Sequence, residues 1–135
     1  MGGPRATDTG MIMSFLQVGL GGAIGAMLRF GMAAALLRVL APGFPVAILA
    51  VNVLGSFLMG MVVVFTFQRE LPQLNPFLMS GVLGGFTTFS AFSLEAFTLY
   101  ERGDVVQAAL YVGLSVTLSV AALALGVWLA RGLFA

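Results

Sequence analysis

Apolar residues in this chain do not alternate with polar ones at a helix or strand period; they come in four long blocks. The blocks run from about Met13 to Leu40, Val46 to Phe67, Phe77 to Tyr100 and Val105 to Ala130. Crossing a hydrocarbon layer of about 30 Å takes about 20 mostly apolar residues in helix. Each block is long enough to span. Between them lie short segments of turn and charged residues: Ala41-Pro42-Gly43-Phe44-Pro45, Gln68 to Pro76 and Glu101-Arg102-Gly103-Asp104. The pattern predicts an all-α integral membrane protein with four transmembrane helices. Residues 1–12, polar and rich in Gly and Pro at their start, read as a mobile N-terminal tail, with Met11 and Met13 as alternative starts. Residues 13–131 read as one four-helix transmembrane domain.

Composition narrows the function classes. Of 135 residues 60% are hydrophobic and 8% charged, against about 25% charged in soluble domains. A net charge of +1 offers no footprint for nucleic acid. No Cys and no His are present, which removes disulfides, thiolate chemistry and the usual zinc sites. It also removes the commonest general base near neutral pH. Five acids remain, Asp8, Glu70, Glu95, Glu101 and Asp104, and four of them fall at the ends or in loops. An enzyme is not expected.

Four spans put both termini on one side. That side carries Arg5, Arg69 and Arg131, the other Arg38 and Arg102, with Arg29 inside the first block. Basic residues set orientation, and this count leaves almost no bias. Either the chain inserts in both orientations and pairs antiparallel, or Arg5 and assisted insertion fix one orientation.

Within the blocks, Gly21-xxx-Gly25, Gly22-xxx-Ala26 and Ser56-xxx-Gly60 are small-residue pairs that let membrane helices approach closely. Asn52 sits inside the second block. A primary amide in hydrocarbon must be satisfied, either by an interhelical hydrogen bond or by facing a water- or ion-filled path, where its two N–H donors suit an anion. The third block carries Gly81-Val82-Leu83-Gly84-Gly85-Phe86-Thr87-Thr88-Phe89-Ser90-Ala91-Phe92-Ser93. Gly-Gly followed by β-branched Thr-Thr is poor helix material, so the third helix is expected to break here unless the small residues form a packing face. A break would turn several carbonyl oxygens toward one place, where two crossing chains could hold a small cation such as Na⁺.

Phe89 and Phe92 share a face, and Phe86 extends the row. They are lipid contacts or, set among hydroxyls, rings whose positive edges an anion can meet without a trapping cation. Ser90 and Ser93 flank them. Tyr111, Ser115 and Ser119 recur at i, i+4, i+8 in the fourth block, either bonding back to their own helix or continuing a track of neutral donors. Glu95 is a proton carrier or an interfacial structural residue. Arg29 attracts anions to a vestibule or snorkels.

At these residues the sequence resembles the Fluc (CrcB-type) fluoride channels. The likeness covers roughly Phe15 to Ala130. It rests on Gly21-Gly22-Ala23-Ile24-Gly25-Ala26-Met27-Leu28-Arg29-Phe30, on Val51-Asn52 with Gly55-Ser56-Phe57, and above all on Gly84 to Ser93 followed by Glu95. The resemblance implies a fluoride-selective channel for passive export of cytoplasmic F⁻, built as an antiparallel homodimer in the cell membrane with two pores and a central structural Na⁺. By position, the backbone carbonyls of Gly84 and Thr87 would hold Na⁺. Phe89 and Phe92 would be the pore rings and Asn52 the pore asparagine, with Ser90, Ser93, Ser115 and Ser119 on the polar track and Arg29 at the vestibule. Ala91, where members often carry Thr, and Ala47-Ile48, in place of a common Gly-Thr, depart from the pattern, and Ser115 stands where members vary.

Two other classes stay in view. A small dual-topology proton-coupled exporter needs a membrane-embedded carboxylate, for which Glu95 is the one candidate. A structural subunit of a membrane complex would need neither Asn52 nor the ring pair. No Gly-rich phosphate loop ending in Lys-Ser or Lys-Thr is present to suggest ATP use.

Overall fold

A computed structural model describes residues 2–3 and 5–135. Helix α1 (Ala6–Val39) begins ahead of the apolar block, because the Asp8 carboxylate accepts the Arg5 backbone N–H at 3.1 Å and closes the helix N-terminus. The polar residues from Ala6 onward, expected in the tail, are therefore wound into α1; the part of that expectation falling on Met1 and Pro4 lies outside the described residues. At ~1.5 Å per residue, its 34 residues rise about 51 Å, well beyond the hydrocarbon layer. Helix α2 (Val46–Gln68) follows the Pro-Gly turn.

The third span is composite. A single 3₁₀ turn (Pro72–Leu74) leads into α3 (Pro76–Leu83), wound in the wider π form, then α4 (Gly84–Phe86). Pro76 at the head of α3 forfeits only an amide that would have had no helical partner. At Thr87 (φ −79°, ψ 155°) and Thr88 (φ −150°, ψ 119°) the backbone is extended, and the helix resumes as α5 (Phe89–Glu101). The break falls where the Gly-Gly-Phe-Thr-Thr run predicts it. Helix α6 (Val105–Leu133) completes the chain. Among the described residues four helical stretches are long and apolar enough to cross a membrane. The molecule is an all-helical, multi-pass membrane protein.

Successive spans alternate in direction, so α2 and α6 run parallel, as do α1 and the third span. Each of these pairs is fastened by glycine. A Cβ on Gly60 would strike the Leu123 carbonyl and the Val127 amide, and one on Gly126 would strike the Phe57 carbonyl and the Met61 amide. In the other pair a Cβ on Gly21 would meet the Phe77 carbonyl, one on Gly25 the Val82 carbonyl, and one on Gly85 the Gly22 carbonyl. Backbone lies on backbone in both seams, as the small-residue pattern leads one to expect. A small core of Phe92, Leu99, Ala108 and Tyr111, backed by Phe44 and Ile48, closes the end where α2 and α6 begin. Most large apolar side chains, Phe15, Phe30, Phe67 and Trp128 among them, are exposed, the inverse of a soluble fold and the surface that lipid requires.

Candidate functional site

Breaking a helix releases backbone groups that must be satisfied at membrane depth. Here Asn52 satisfies two of them. Its Nδ2 donates to the Thr88 carbonyl at 3.0 Å, and its Oδ1 accepts the Thr88 N–H at 2.8 Å. The side-chain amide thus pairs with the Thr88 peptide as a neighbouring strand would. The geometry makes Asn52 an interhelical clamp, and one of its two N–H donors is left over while the side chain lines a groove.

Thr88 then starts α5. Its Oγ1 accepts the Ala91 N–H at 3.1 Å, an N-cap, and lies 3.2 Å from Ser90 Oγ. Thr87 closes the preceding segment, its N–H and hydroxyl both donating to the Leu83 carbonyl, at 3.0 and 2.9 Å. One consequence concerns the carbonyls. The amide that would continue the helix onto Gly84 is that of Thr88, which Asn52 holds; the amide that would close on Thr87 is that of Ala91, which Thr88 Oγ1 holds. The Gly84 and Thr87 oxygens are therefore released from the helical ladder. Among the described residues no group of acidic side chains could hold a metal ion, so a cation here would rest on backbone oxygens.

Beside the break runs a groove of about 420 Å³ between α2, α5 and α6. It gathers Asn52, Thr87, Phe89, Phe92, Ser115 and Ser119, most of the residues that the sequence points to, and adds Ser56 and Thr88. The rings of Phe89 and Phe92 lie 5.3 Å apart and tilted by 50°. Phe92 continues to Tyr111 at 5.3 Å and Tyr111 to Phe44 at 5.6 Å, an aromatic ladder from the core to the break. Phe92 is 9% exposed and Phe89 77%, so the row has an inner and an outer ring. Ser115 is buried and its hydroxyl has no hydrogen-bond partner, and the same holds for Tyr111. Donors left unpaired in an apolar span need a ligand or water to complete them.

The remaining candidates stand apart from the groove. Ser90 is exposed beside the Thr88 cap. Ser93 spends its proton on the Phe89 carbonyl at 2.9 Å. Arg29 lies on the far side of the third span, its Nε donating to the Gly85 carbonyl at 3.2 Å; it neither snorkels freely nor enters the groove. Glu95 is half-buried on α5 and does not line the groove either. Sequence reasoning passed over Thr88, whose signal is a Thr directly ahead of a resuming helix, and took Ser56 only as a packing residue. Gly60 does the packing; Ser56, four residues after Asn52 and so on its face, lines the groove.

The arrangement can take a small anion: neutral N–H and O–H donors and two phenyl rings, positive at their edges, line the space, and its lining includes no cationic side chain.

Comparison with known proteins points the same way. The family model described as "CrcB-like protein, Camphor Resistance (CrcB)" matches residues 16–127. The "Fluoride-specific ion channel FluC" of Ruegeria sp. is 61% identical over 123 residues, covering 90% of this chain and 98% of that protein. The protein of the same name from Roseobacter denitrificans is 57% identical over the same shares. That from Rhizobium etli is 46% identical over 125 residues, 91% of this chain and 99% of its own.

Proposed function

The chain belongs to the CrcB-like family, and on that premise we propose that it is a fluoride-selective ion channel, an exporter of cytoplasmic F⁻ that works passively as an antiparallel homodimer in the cell membrane. The observation that carries the reading is the groove at the break, lined by an unpaired hydroxyl and two phenyl rings with no cationic side chain. Fluoride is small and strongly hydrated, and entering the membrane strips its water. The spare Asn52 N–H, the Ser115 and Ser119 hydroxyls and the edges of Phe89 and Phe92 replace that water one contact at a time. Each contact is favourable enough to admit the ion and weak enough to release it. Ser90 borders the path through Thr88, and Ser93 would serve the ion only by turning its proton away from the Phe89 carbonyl. The proposed task is fluoride resistance: undissociated HF crosses the bilayer and ionises inside, and a negative interior drives F⁻ out with about 2.3 kcal/mol per charge per 100 mV.

The physics of the break supports a second copy. Polar backbone cannot face lipid, yet Phe89 and the Gly84 carbonyl region are exposed on a single chain. A partner crossing at this face would cover both. The near-equal arginine count on the two sides supports an antiparallel, dual-topology pair. The released Gly84 and Thr87 oxygens fit a structural Na⁺, two from each chain, and the ion would supply the positive charge that keeps the facing carbonyls together.

Fluoride efflux from liposomes, driven by a K⁺ gradient with valinomycin and read by a fluoride electrode, tests this reading. Fast fluoride release without chloride release, lost in Phe89→Ile, is expected. No release from folded, inserted protein would overturn it and turn attention to proton-coupled export through Glu95, which Glu95→Gln would abolish.

A further inference from the structure

We infer that Ser56 is a further rung of the fluoride path, the last neutral donor toward the membrane face that carries the chain termini; the inference rests on the channel reading above. The parallel seam of α2 and α6 sets the register. Gly60 lies against Leu123 to Val127, and Gly126 against Phe57 to Met61. Asn52 and Ser56 stand four apart on α2, and Ser115 and Ser119 four apart on α6, so each pair shares a face. Sliding one helix along the other by that register interleaves them. From the end where both helices begin, the order is Ser115, Asn52, Ser119, Ser56. All four line the same groove.

The hydroxyl of Ser56 is available. Membrane Ser and Thr commonly donate back to their own helix, and Ser93 and Thr98 do so at 2.9 and 2.7 Å. Among the described residues Ser56 makes no such bond, while Ser115, the rung at the opposite end, is buried with its hydroxyl unpaired. Beyond Ser56 the groove is lined by Met59 and Leu123, which offer a dehydrated anion nothing. Without Ser56 the ion would pass from Ser119 straight to apolar walls; with it, the alternation between the two helices extends one step further before the apolar stretch begins.

The test is liposome fluoride efflux for Ser56→Ala, Ser56→Thr and Asn52→Ala beside the unsubstituted chain, each first shown to elute as the parent does and to stay folded at the assay temperature. Ser56→Ala is expected to slow fluoride release by about five- to tenfold, the scale of one lost neutral hydrogen bond. Ser56→Thr, which keeps the hydroxyl, should restore most of it. Ser56→Ala releasing fluoride at the parent rate while Asn52→Ala releases none would overturn the inference and leave the channel reading intact. Equal release from all four would overturn the inference together with the assignment of this groove as the path, and no release from any of the four would overturn the channel reading. If Ser56→Ala fails to fold, Ser56→Cys keeps the volume and weakens the donor; release at the parent rate from that variant overturns the inference, and slowed release supports it.

Discussion

The seam between α2 and α6 and the break between α4 and α5 solve opposite problems with the same small residues. In the seam, Gly60 and Gly126 remove side chains so that two intact helices touch backbone to backbone. Both helices continue unbroken past these glycines, and no backbone group is given up there. At the break, Gly84 and Gly85 precede two threonines in extended conformation, the ladder is given up, and side chains from elsewhere take over the released groups. Gly55 links the two regions: the space left by its missing side chain is filled by the Thr87 methyl and the Phe86 ring rather than by backbone. Closeness alone does not make a functional place in a membrane. What distinguishes the break is that its polar groups are only partly paid back, so the surface there still has donors and acceptors to give.

The sharpest way to break this comparison is to fill the seam. In Gly126→Leu the new side chain meets the Phe57 carbonyl and the Met61 amide, which cannot swing away as a side chain would. Overpacking of a rigid contact costs about 3 kcal/mol or more. The expected outcome is loss of monodisperse protein on size-exclusion chromatography, with activity lost only as a consequence. Recovery of normal protein would mean that the seam is looser than its backbone contacts imply.

Asn52→Leu should do the reverse. It strands the Thr88 N–H and carbonyl, each at about 1–3 kcal/mol, and removes the spare donor from the groove. The protein should still insert through its intact seams, with a lower melting temperature and fluoride release reduced to background. Loss of folding as complete as in Gly126→Leu would erase the distinction between the two regions.

Much of this was legible in the sequence, and the exceptions share a cause. The four spans follow from block length, the break from Gly-Gly-Phe-Thr-Thr, and the Ser115–Ser119 face from spacing of four. These are local signals. The clamp joins residues 36 apart and the Arg29 contact residues 56 apart, and no periodicity announces such pairs. The π winding of Pro76–Leu83 gives no compositional sign either. The early start of α1 depended on Asp8 reaching back to the Arg5 amide, a short-range device hidden by the polar composition around it.

Arg29 gives a smaller test that sharpens the picture of the break. A hydrogen bond from a charged donor contributes about 1.5–3 kcal/mol, and here it holds the Gly85 carbonyl next to the released ones. Arg29→Gln keeps an N–H donor and drops the charge; Arg29→Leu drops both. If Arg29 acts by fixing the break, Gln should retain most of the fluoride release and Leu should lose about tenfold or more. Equal loss in both would assign its effect to charge at a vestibule.

The smallest effect belongs to a position outside both regions, and it supplies the baseline against which the others are read. Helices α2 and α5 end in the same way. After α2, the Leu71 N–H reaches the Thr66 carbonyl at 2.8 Å and the Glu70 N–H the Phe67 carbonyl at 3.3 Å; after α5, the Asp104 N–H reaches Leu99 and the Gly103 N–H reaches Tyr100, both at 3.0 Å. Both are Schellman closures, which require a left-handed residue just past the cap. At α5 it is Gly103, φ 85°; at α2 it is Glu70, φ 53°. Glycine adopts that conformation freely, and a residue with a Cβ does not. Glu70→Gly should therefore stabilise the protein by about 0.5–1 kcal/mol, the relief of strain being partly offset by the greater freedom of glycine in the unfolded chain. Gly103→Ala should destabilise it by a similar amount. Neither residue touches the seam or the groove, so thermal melting should move in opposite directions while fluoride release stays at the parent rate. A change in release from either variant would show that stability alone leaks into the flux measurement, and the losses assigned to Asn52 and Arg29 would have to be corrected by that amount.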